Sequence, residues 1–149
     1  MLIYIIEDSP TKAAQLTTFL KERWSCAHIR LFASFQSGLR EVESVSPDLI
    51  VLDMTLPTFD RKANGREGRL RPLGGYDLMR KMRLKQISAR VVVITQLESF
   101  GEGEETVNLG DITSRCEREF PDFFIGSVYF DQSAGNWKTQ LDDLLFDIK

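Results

Sequence analysis

The chain has 149 residues, 22 acidic and 19 basic side chains, a net charge of -3 and a hydrophobic fraction of 42%. This length predicts one domain with one full core, and the charge balance gives no case for binding nucleic acid or a membrane surface. No apolar run approaches the roughly 18 residues of a membrane helix, and the N-terminus lacks a secretion-signal pattern. Cys26 and Cys116 have no metal-type spacing, so we expect reduced thiols in a cytoplasmic protein.

Five short apolar runs alternate with segments of helical periodicity. The third and fourth runs, "DLIVL" and "RVVVIT", are nearly continuous in Val, Ile and Leu, which is typical of strands covered on both faces. Ser9 followed by Pro10 indicates a helix start, as does Ser34. The predicted elements in chain order are a strand at 2–6, a helix from Ser9, a strand at 27–32, a helix from Ser34, a strand at 48–52, a helix at 75–85, a strand at 90–95, a helix at about 106–120, a strand at 123–130 and a helix at 136–148.

This alternation predicts an α/β fold over residues 1–149, with a doubly wound, five-stranded parallel sheet in the flavodoxin-like order 2-1-3-4-5. In such sheets a ligand binds beyond the carboxyl ends of the strands, where the strand order reverses between strands one and three. Two connections are longer than this plan needs, at about 58–75 and 97–122. Loops of this length in a compact domain are usually functional or disordered.

Carboxylates end the two strands that flank this reversal point. Glu7 and Asp8 follow the first strand, and Asp53 follows the third. One such acid alone is more simply explained as a helix cap, but three converging carboxylates repel one another and are costly to bury unpaired. A hard cation such as Mg²⁺ relieves both costs, so we favour a metal site. Thr95 ends the fourth strand, and its hydroxyl is placed to donate to an oxyanion.

The motifs "YIIEDSP", "DLIVLDMTLP" with its Asp-x-x-x-Pro pattern, and "VVVIT" resemble the receiver domain of two-component response regulators, and the resemblance covers the whole chain. It implies that Asp53 accepts a phosphoryl group from a histidine kinase or phosphotransfer protein. It also implies that Glu7, Asp8, Asp53 and the backbone carbonyl of Thr55 bind Mg²⁺. Thr95 matches the hydroxyl that moves toward the phosphoryl oxygen.

The chain departs from the family pattern after the fifth strand, where receiver domains carry a lysine. If Tyr129 matches the family's switch aromatic, Gln132 takes the lysine's place, and a shift of one residue puts Asp131 there instead. Neither side chain carries a positive charge. Bases of the enlarged 58–75 loop could replace the lysine by folding over the site, but we favour the simpler explanation that they form a solvated, flexible loop. Its bases are Arg61, Lys62, Arg66, Arg69 and Arg71.

Three functional interpretations follow from these residues. The first is a single-domain response regulator, not an enzyme beyond its own phosphorylation and dephosphorylation, that signals to an unknown downstream protein through protein–protein contacts. The second is a pseudo-receiver that binds partners without phosphorylation, which the missing lysine favours. The third, a phosphatase with an aspartate nucleophile, is disfavoured because such enzymes need a second acid where this chain has Thr55.

Overall fold

The computed structural model describes residues 1–61, 69–133 and 135–148. In chain order its strands are β1 (Leu2–Ile6), β2 (His28–Phe32), β3 (Leu49–Leu52), β4 (Leu56–Pro57), β5 (Leu70–Arg71), β6 (Arg90–Thr95), β7 (Ser99–Phe100), β8 (Val107–Asn108) and β9 (Phe124–Tyr129). Its helices are α1 (Pro10–Arg23), α2 (Phe35–Ser44), α3 (Gly74–Leu84), α4 (Leu109–Glu119) and α5 (Asn136–Leu144).

Five parallel strands form the central sheet in the order β2-β1-β3-β6-β9. Since β6 and β9 are the fourth and fifth strands of this sheet along the chain, the predicted order 2-1-3-4-5 is confirmed. The reversal point lies between β1 and β3, as the alternation of elements predicts. None of the helices in the described residues is both long enough and apolar enough to cross a membrane.

Short antiparallel hairpins organise the enlarged connections. In the first, β4 pairs with β5, and Leu56 lies opposite Arg71. In the second, β7 pairs with β8, and α4 begins only at Leu109, a few residues later than predicted. The physical reason is the cap of α4: the side chain of Asn108 accepts a hydrogen bond from the N–H of Asp111 at 2.8 Å.

The sheet buries a separate core on each face, because successive side chains of a strand point to opposite sides. On one side, Ile3 and Ile5 of β1 pack with residues of α1 and α5. On the other, Tyr4 and Ile6 pack with residues of α2, α3 and α4. The side of the sheet that a residue faces therefore decides which helices can reach it.

Both predicted serine caps are confirmed. The Ser9 hydroxyl accepts the N–H of Lys12 at 3.4 Å, and the Ser34 hydroxyl accepts the N–H of Ser37 at 3.1 Å. Pro10 occupies the first turn of α1, where a missing amide proton costs nothing. The first turn of α1 consequently lies within a few residues of the acids that end β1.

Candidate functional site

Main-chain hydrogen bonds fix the acids at one edge of the sheet. The N–H of Glu7 donates to the carbonyl of Phe32 at 2.9 Å, and the N–H of Asp53 donates to the carbonyl of Ile6 at 3.0 Å. Both bonds extend the ladders that β1 makes with its neighbours. As a result Glu7, Asp8 and Asp53 each offer a carboxylate oxygen within 4.8 Å of the others.

The three carboxyl groups fit a hard divalent cation. Asp8 and Asp53 are half-buried, while Glu7 is buried. Among the described residues, Glu7 Oε2 is buried and has no hydrogen-bond partner in the deprotonated form, so either a bound cation or a proton shared with Asp53 would satisfy it. An all-oxygen set open on one side suits Mg²⁺, which usually keeps several waters.

The shared site changes the acidity of Glu7. The pKa of Glu7 is raised from 4.5 to about 9, chiefly because burial penalises the charged form and also because the carboxylate of Asp53 is adjacent. Lys12 opposes both effects. We call Glu7, Asp8 and Asp53 the acid cluster. When no cation is bound there, a proton on Glu7 therefore reduces the negative charge of the site.

Lys12 is a site residue that the sequence did not reveal. It lies in α1 and is 1% exposed, and its Nζ is 3.1 Å from Glu7 Oε1 and 3.5 Å from Asp53 Oδ1. The same ammonium donates to the carbonyl of Ile94 at 2.7 Å. Lys12 thus connects the ends of β1, β3 and β6.

A signal for Lys12 is present in the spacing of α1. Lys12 precedes Leu16 and Leu20 at intervals of four, and both leucines are fully buried, so Lys12 continues their row toward the sheet. Glu7 and Asp53 continue the alternation that places Ile3, Ile5, Leu49 and Val51 on the α1 side. The lysine and the two acids therefore face the same side of the sheet.

The backbone around Asp53 is closely packed. Asp53 Oδ1 accepts the N–H of Met54 at 2.8 Å, which orients the carboxylate. The N–H of Gly75, in the first turn of α3, donates to the Met54 carbonyl at 2.8 Å. A Cβ at Gly75 would lie only 2.6 Å from the Asp53 carbonyl oxygen, so this close approach requires glycine.

Thr95 lies at the carboxyl end of β6, next to the end of β3 that Asp53 follows. It is fully buried, and its hydroxyl accepts the N–H of Leu97 at 3.2 Å. Tyr129 is its register partner on β9 and is half-buried. The Thr55 hydroxyl donates to the carbonyl of Pro72 at 2.9 Å, and the role of the Thr55 backbone carbonyl as a metal ligand stays a prediction.

The positions considered for the family lysine are occupied in other ways. Asp131 Oδ1 accepts bonds from the amide and hydroxyl of Ser133, at 3.0 and 2.7 Å. Gln132 is exposed and lines a groove between α1 and α5. The first residue after β9 is Phe130, which is buried and has its ring centroid 5.6 Å from Lys12 Nζ.

The basic loop reaches the acid cluster through one described residue, Arg61. Its Nη2 is 3.2 Å from Asp8 Oδ2, and its side chain is 61% exposed. Arg71 instead pairs with Asp77 at 3.5 Å and stacks on the Phe35 ring at 4.1 Å. Arg69 is exposed, and Lys62 and Arg66 lie outside the described residues.

Comparison with known proteins agrees with this geometry. The family model of the response regulator receiver domain matches residues 3–111. The chain therefore belongs to the response regulator receiver domain family, whose members act in two-component signalling.

Particular relatives cover nearly the whole chain. The protein is similar to the Detocs response regulatory protein DtcB of Enterobacter cloacae, with 32% identity over 143 residues and 95% of each chain covered. It is also similar to the uncharacterized protein y4jR of Sinorhizobium fredii, with 27% identity over 142 residues, 95% of this chain and 94% of the other.

Known structures match the fold. The receiver domain of a LuxO repressor protein from Vibrio parahaemolyticus matches with a TM-score of 0.61, 18% identity and coverage of 97% and 89% of the two chains. The response regulator TrrA from Thermotoga maritima, in complex with Mg²⁺-BeF, matches with a TM-score of 0.56, 17% identity and coverage of 97% and 98%. At these identities the likeness concerns the fold.

Proposed function

We propose that the protein is a response regulator that accepts a phosphoryl group on Asp53 from a phosphohistidine of a kinase or phosphotransfer protein, with Mg²⁺ as cofactor, and signals through protein–protein contacts. The observation that carries this proposal is the convergence of Glu7, Asp8 and Asp53 within 4.8 Å at the carboxyl edge of the sheet. Similarity to the DtcB response regulatory protein supports the same class of function.

The transfer needs a nucleophile and compensation of negative charge more than other covalent machinery. An oxygen of Asp53 forms a bond to phosphorus as the P–N bond to the donor histidine breaks. The imidazole nitrogen leaves with the electron pair of that bond, and the other ring nitrogen keeps its proton. Both contacts described above, to Met54 N–H and to Lys12, fall on Oδ1, so we assign Oδ2 as the attacking atom.

The remaining residues of the site have separate tasks. Glu7 and Asp8, with Asp53, would hold Mg²⁺, which when bound neutralises negative charge on the phosphoryl oxygens. The Thr95 hydroxyl accepts a bond from Leu97, which leaves its own proton for a phosphoryl oxygen. A shift of Thr95 toward that oxygen changes the end of β6 and the loop after it, which is how the site would signal to the surface.

A small phosphodonor tests the proposal. Incubation with phosphoramidate and Mg²⁺ is expected to add one phosphoryl group that hydroxylamine removes, as an acyl phosphate requires. Asp53→Asn should abolish the addition. Asp60→Asn is the matched control, because Asp60 is a nearby exposed acid, beyond β4, that bonds to Ser37 rather than to the acid cluster. Labelling of the Asp53→Asn variant would contradict the assignment.

A pseudo-receiver is the second candidate, and the Arg61 contact favours it. Arg61 lies against Asp8, one of the expected metal ligands, so part of the negative charge there is balanced without a metal ion. In that case phosphoramidate gives no labelling, and a Mg²⁺ titration followed by calorimetry gives no binding heat. Labelling of Asp53 excludes this candidate.

A further inference from the structure

We propose that Lys12, on α1, is the cation of the phospho-acceptor site, in place of the lysine that receiver domains carry after the last strand of the sheet. This inference rests on the proposed function, since it assigns Lys12 a part in phosphoryl transfer to Asp53. The geometry that carries it is the burial of the ammonium between the carboxyl groups of Glu7 and Asp53.

The placement of Lys12 has physical costs that ordinary helix packing does not repay. Lysine is almost never fully buried unless it is paired, and a cation in the first turn of a helix is opposed by the helix dipole. Lys12 is 1% exposed and lies in the first turn of α1. Only the groups around its ammonium can compensate for these costs.

Three oxygen atoms surround the ammonium of Lys12. Lys12 Nζ donates a hydrogen bond to the Ile94 carbonyl at 2.7 Å and makes ion pairs with Glu7 at 3.1 Å and Asp53 at 3.5 Å. Of the described residues, Lys12 alone makes an ion pair with Asp53 within 4.0 Å. The acceptor carboxylate therefore shares a buried cation with Glu7.

Phe130 explains how a lysine from another element can take this place. As the first residue after β9, Phe130 holds the position just past the last strand, and its buried ring faces Lys12 Nζ at 5.6 Å. A ring face attracts an ammonium and supplies no competing charge. The ammonium of Lys12 thus reaches Asp53 from α1 and lies over the face of the Phe130 ring.

The location suits phosphoryl transfer. The Asp53 carboxylate and the arriving phosphoryl group are both negative, and a fixed ammonium beside them offsets their repulsion without having to reorganise. The bond from Lys12 to the Ile94 carbonyl also ties this charge to the residue before Thr95. A change in charge at Asp53 is therefore transmitted directly to the end of β6.

Phosphorylation rates test the inference. With phosphoramidate and Mg²⁺, Lys12→Met is expected to label about 100-fold more slowly than the unaltered protein, the loss typical of removing one charge-stabilising donor. Lys21→Met is the matched control, because Lys21 is an exposed lysine of the same helix that bonds to the Ala27 carbonyl. Its labelling rate should not change.

A double variant separates a charge effect from damage to the fold. Lys12→Met combined with Phe130→Lys returns an ammonium to the site from the end of β9, and it should recover most of the lost rate. Thermal unfolding of each variant checks that the chain is folded. Recovery supports the inference, whereas a rate that stays low in a folded double variant counts against it.

Mg²⁺ affinity provides a readout with the opposite sign. Lys12 repels a cation at the acid cluster, so Lys12→Met should bind Mg²⁺ about tenfold more tightly, while merely structural damage would weaken binding. Calorimetric titration measures this difference whether or not Asp53 is phosphorylated. If the unaltered protein is not labelled, the proposed function fails, but the titration still tests whether Lys12 acts on the charge of the site. The inference is overturned if Lys12→Met and the unaltered protein are labelled at the same rate, or if they bind Mg²⁺ with the same affinity.

Discussion

At the scale of single residues, glycine beside Asp53 shows how tightly the acceptor is held. Gly75→Ala places a methyl group 2.6 Å from the Asp53 carbonyl oxygen. Either the backbone after β3, which carries Asp53, or α3 must therefore move. We expect a loss of about 1–3 kcal/mol in the free energy of unfolding, measured by urea denaturation. The phosphorylation rate should fall as well, because the moved backbone carries the nucleophile.

Gly110 is the matched control for this substitution. It is the second residue of α4, as Gly75 is of α3, and its nearest neighbour to an added Cβ is Asn108 Oδ1 at 3.4 Å. Gly110→Ala should leave phosphorylation unchanged and raise the free energy of unfolding by about 0.5–1 kcal/mol, because alanine loses less backbone entropy in a helix. Equal effects of the two substitutions would refute the close-packing argument.

Glu7 gives the fold a pH dependence whose sign is fixed by the raised pKa. The pKa of Glu7 is 4.5 ordinarily and about 9 in the folded protein, so the folded state holds a proton that the unfolded state releases. This contribution to stability is complete below pH 4.5 and is lost as pH rises toward 9. Without divalent cations, the stability of Glu7→Gln relative to the unaltered protein should therefore increase with pH.

Urea unfolding in EDTA across this pH range measures the difference. Asp60→Asn, which removes an exposed acid away from the cluster, should show a nearly constant difference from the unaltered protein. A constant difference for Glu7→Gln would contradict the buried, protonated state of Glu7.

At the scale of elements, α1 has a task besides covering the sheet, because it carries Lys12 to the acids. Its N-cap is Ser9, and α2 has an equivalent cap in Ser34. Ser9→Ala and Ser34→Ala should each lower the free energy of unfolding by about 1 kcal/mol. Only Ser9→Ala should also slow phosphorylation, since fraying of the first turn of α1 displaces Lys12.

The comparison requires both variants at a temperature where each is folded. Phosphoramidate labelling gives the rates, and urea denaturation gives the stabilities. A slower rate in Ser34→Ala, matching that of Ser9→Ala, would show that general loss of stability rather than the start of α1 controls the site.

At the scale of the whole molecule, the cysteines report on global opening. Cys116 of α4 is 1% exposed, and burial raises the pKa of its thiol to about 12, whereas Cys26 is exposed. Because the thiolate is the reactive form, iodoacetamide should modify Cys26 in the native protein and leave Cys116 unmodified until the chain unfolds. Mass spectrometry of digested samples, with and without urea, assigns the modified cysteine. Early modification of Cys116 would reveal local opening of α4.

The fold was predictable from sequence because its signals are local and repeated. Alternating strand and helix patterns, two serine caps and the nearly continuous apolar runs of β3 and β6 specify the sheet. The acid cluster was predictable for a related reason: Glu7 and Asp53 directly follow strands, and parallel strands end at one edge. Neither inference needed the positions of distant side chains.

Lys12 was not predictable in the same way, because its burial depends on partners at the ends of three strands. A lysine near the start of a helix ordinarily extends its charged end into water. The row that it forms with Leu16 and Leu20 indicates the side of α1 that faces the sheet. Only the folded structure shows that Glu7, Asp53 and the Ile94 carbonyl surround the ammonium there. The short hairpins escaped prediction because two-residue strands carry no periodicity.

Because Lys12 lies on α1, the criterion by which receiver domains are classified as active or degenerate changes the result for this chain. If the lysine is sought only by its position along the chain, the residues after β9 are Phe130 and Asp131, and the chain is classified as lacking it. A classification by distance finds an ammonium 3.5 Å from the Asp53 carboxylate and scores it as present. Receiver sequences without the usual lysine should accordingly be searched for a basic residue one turn into their first helix.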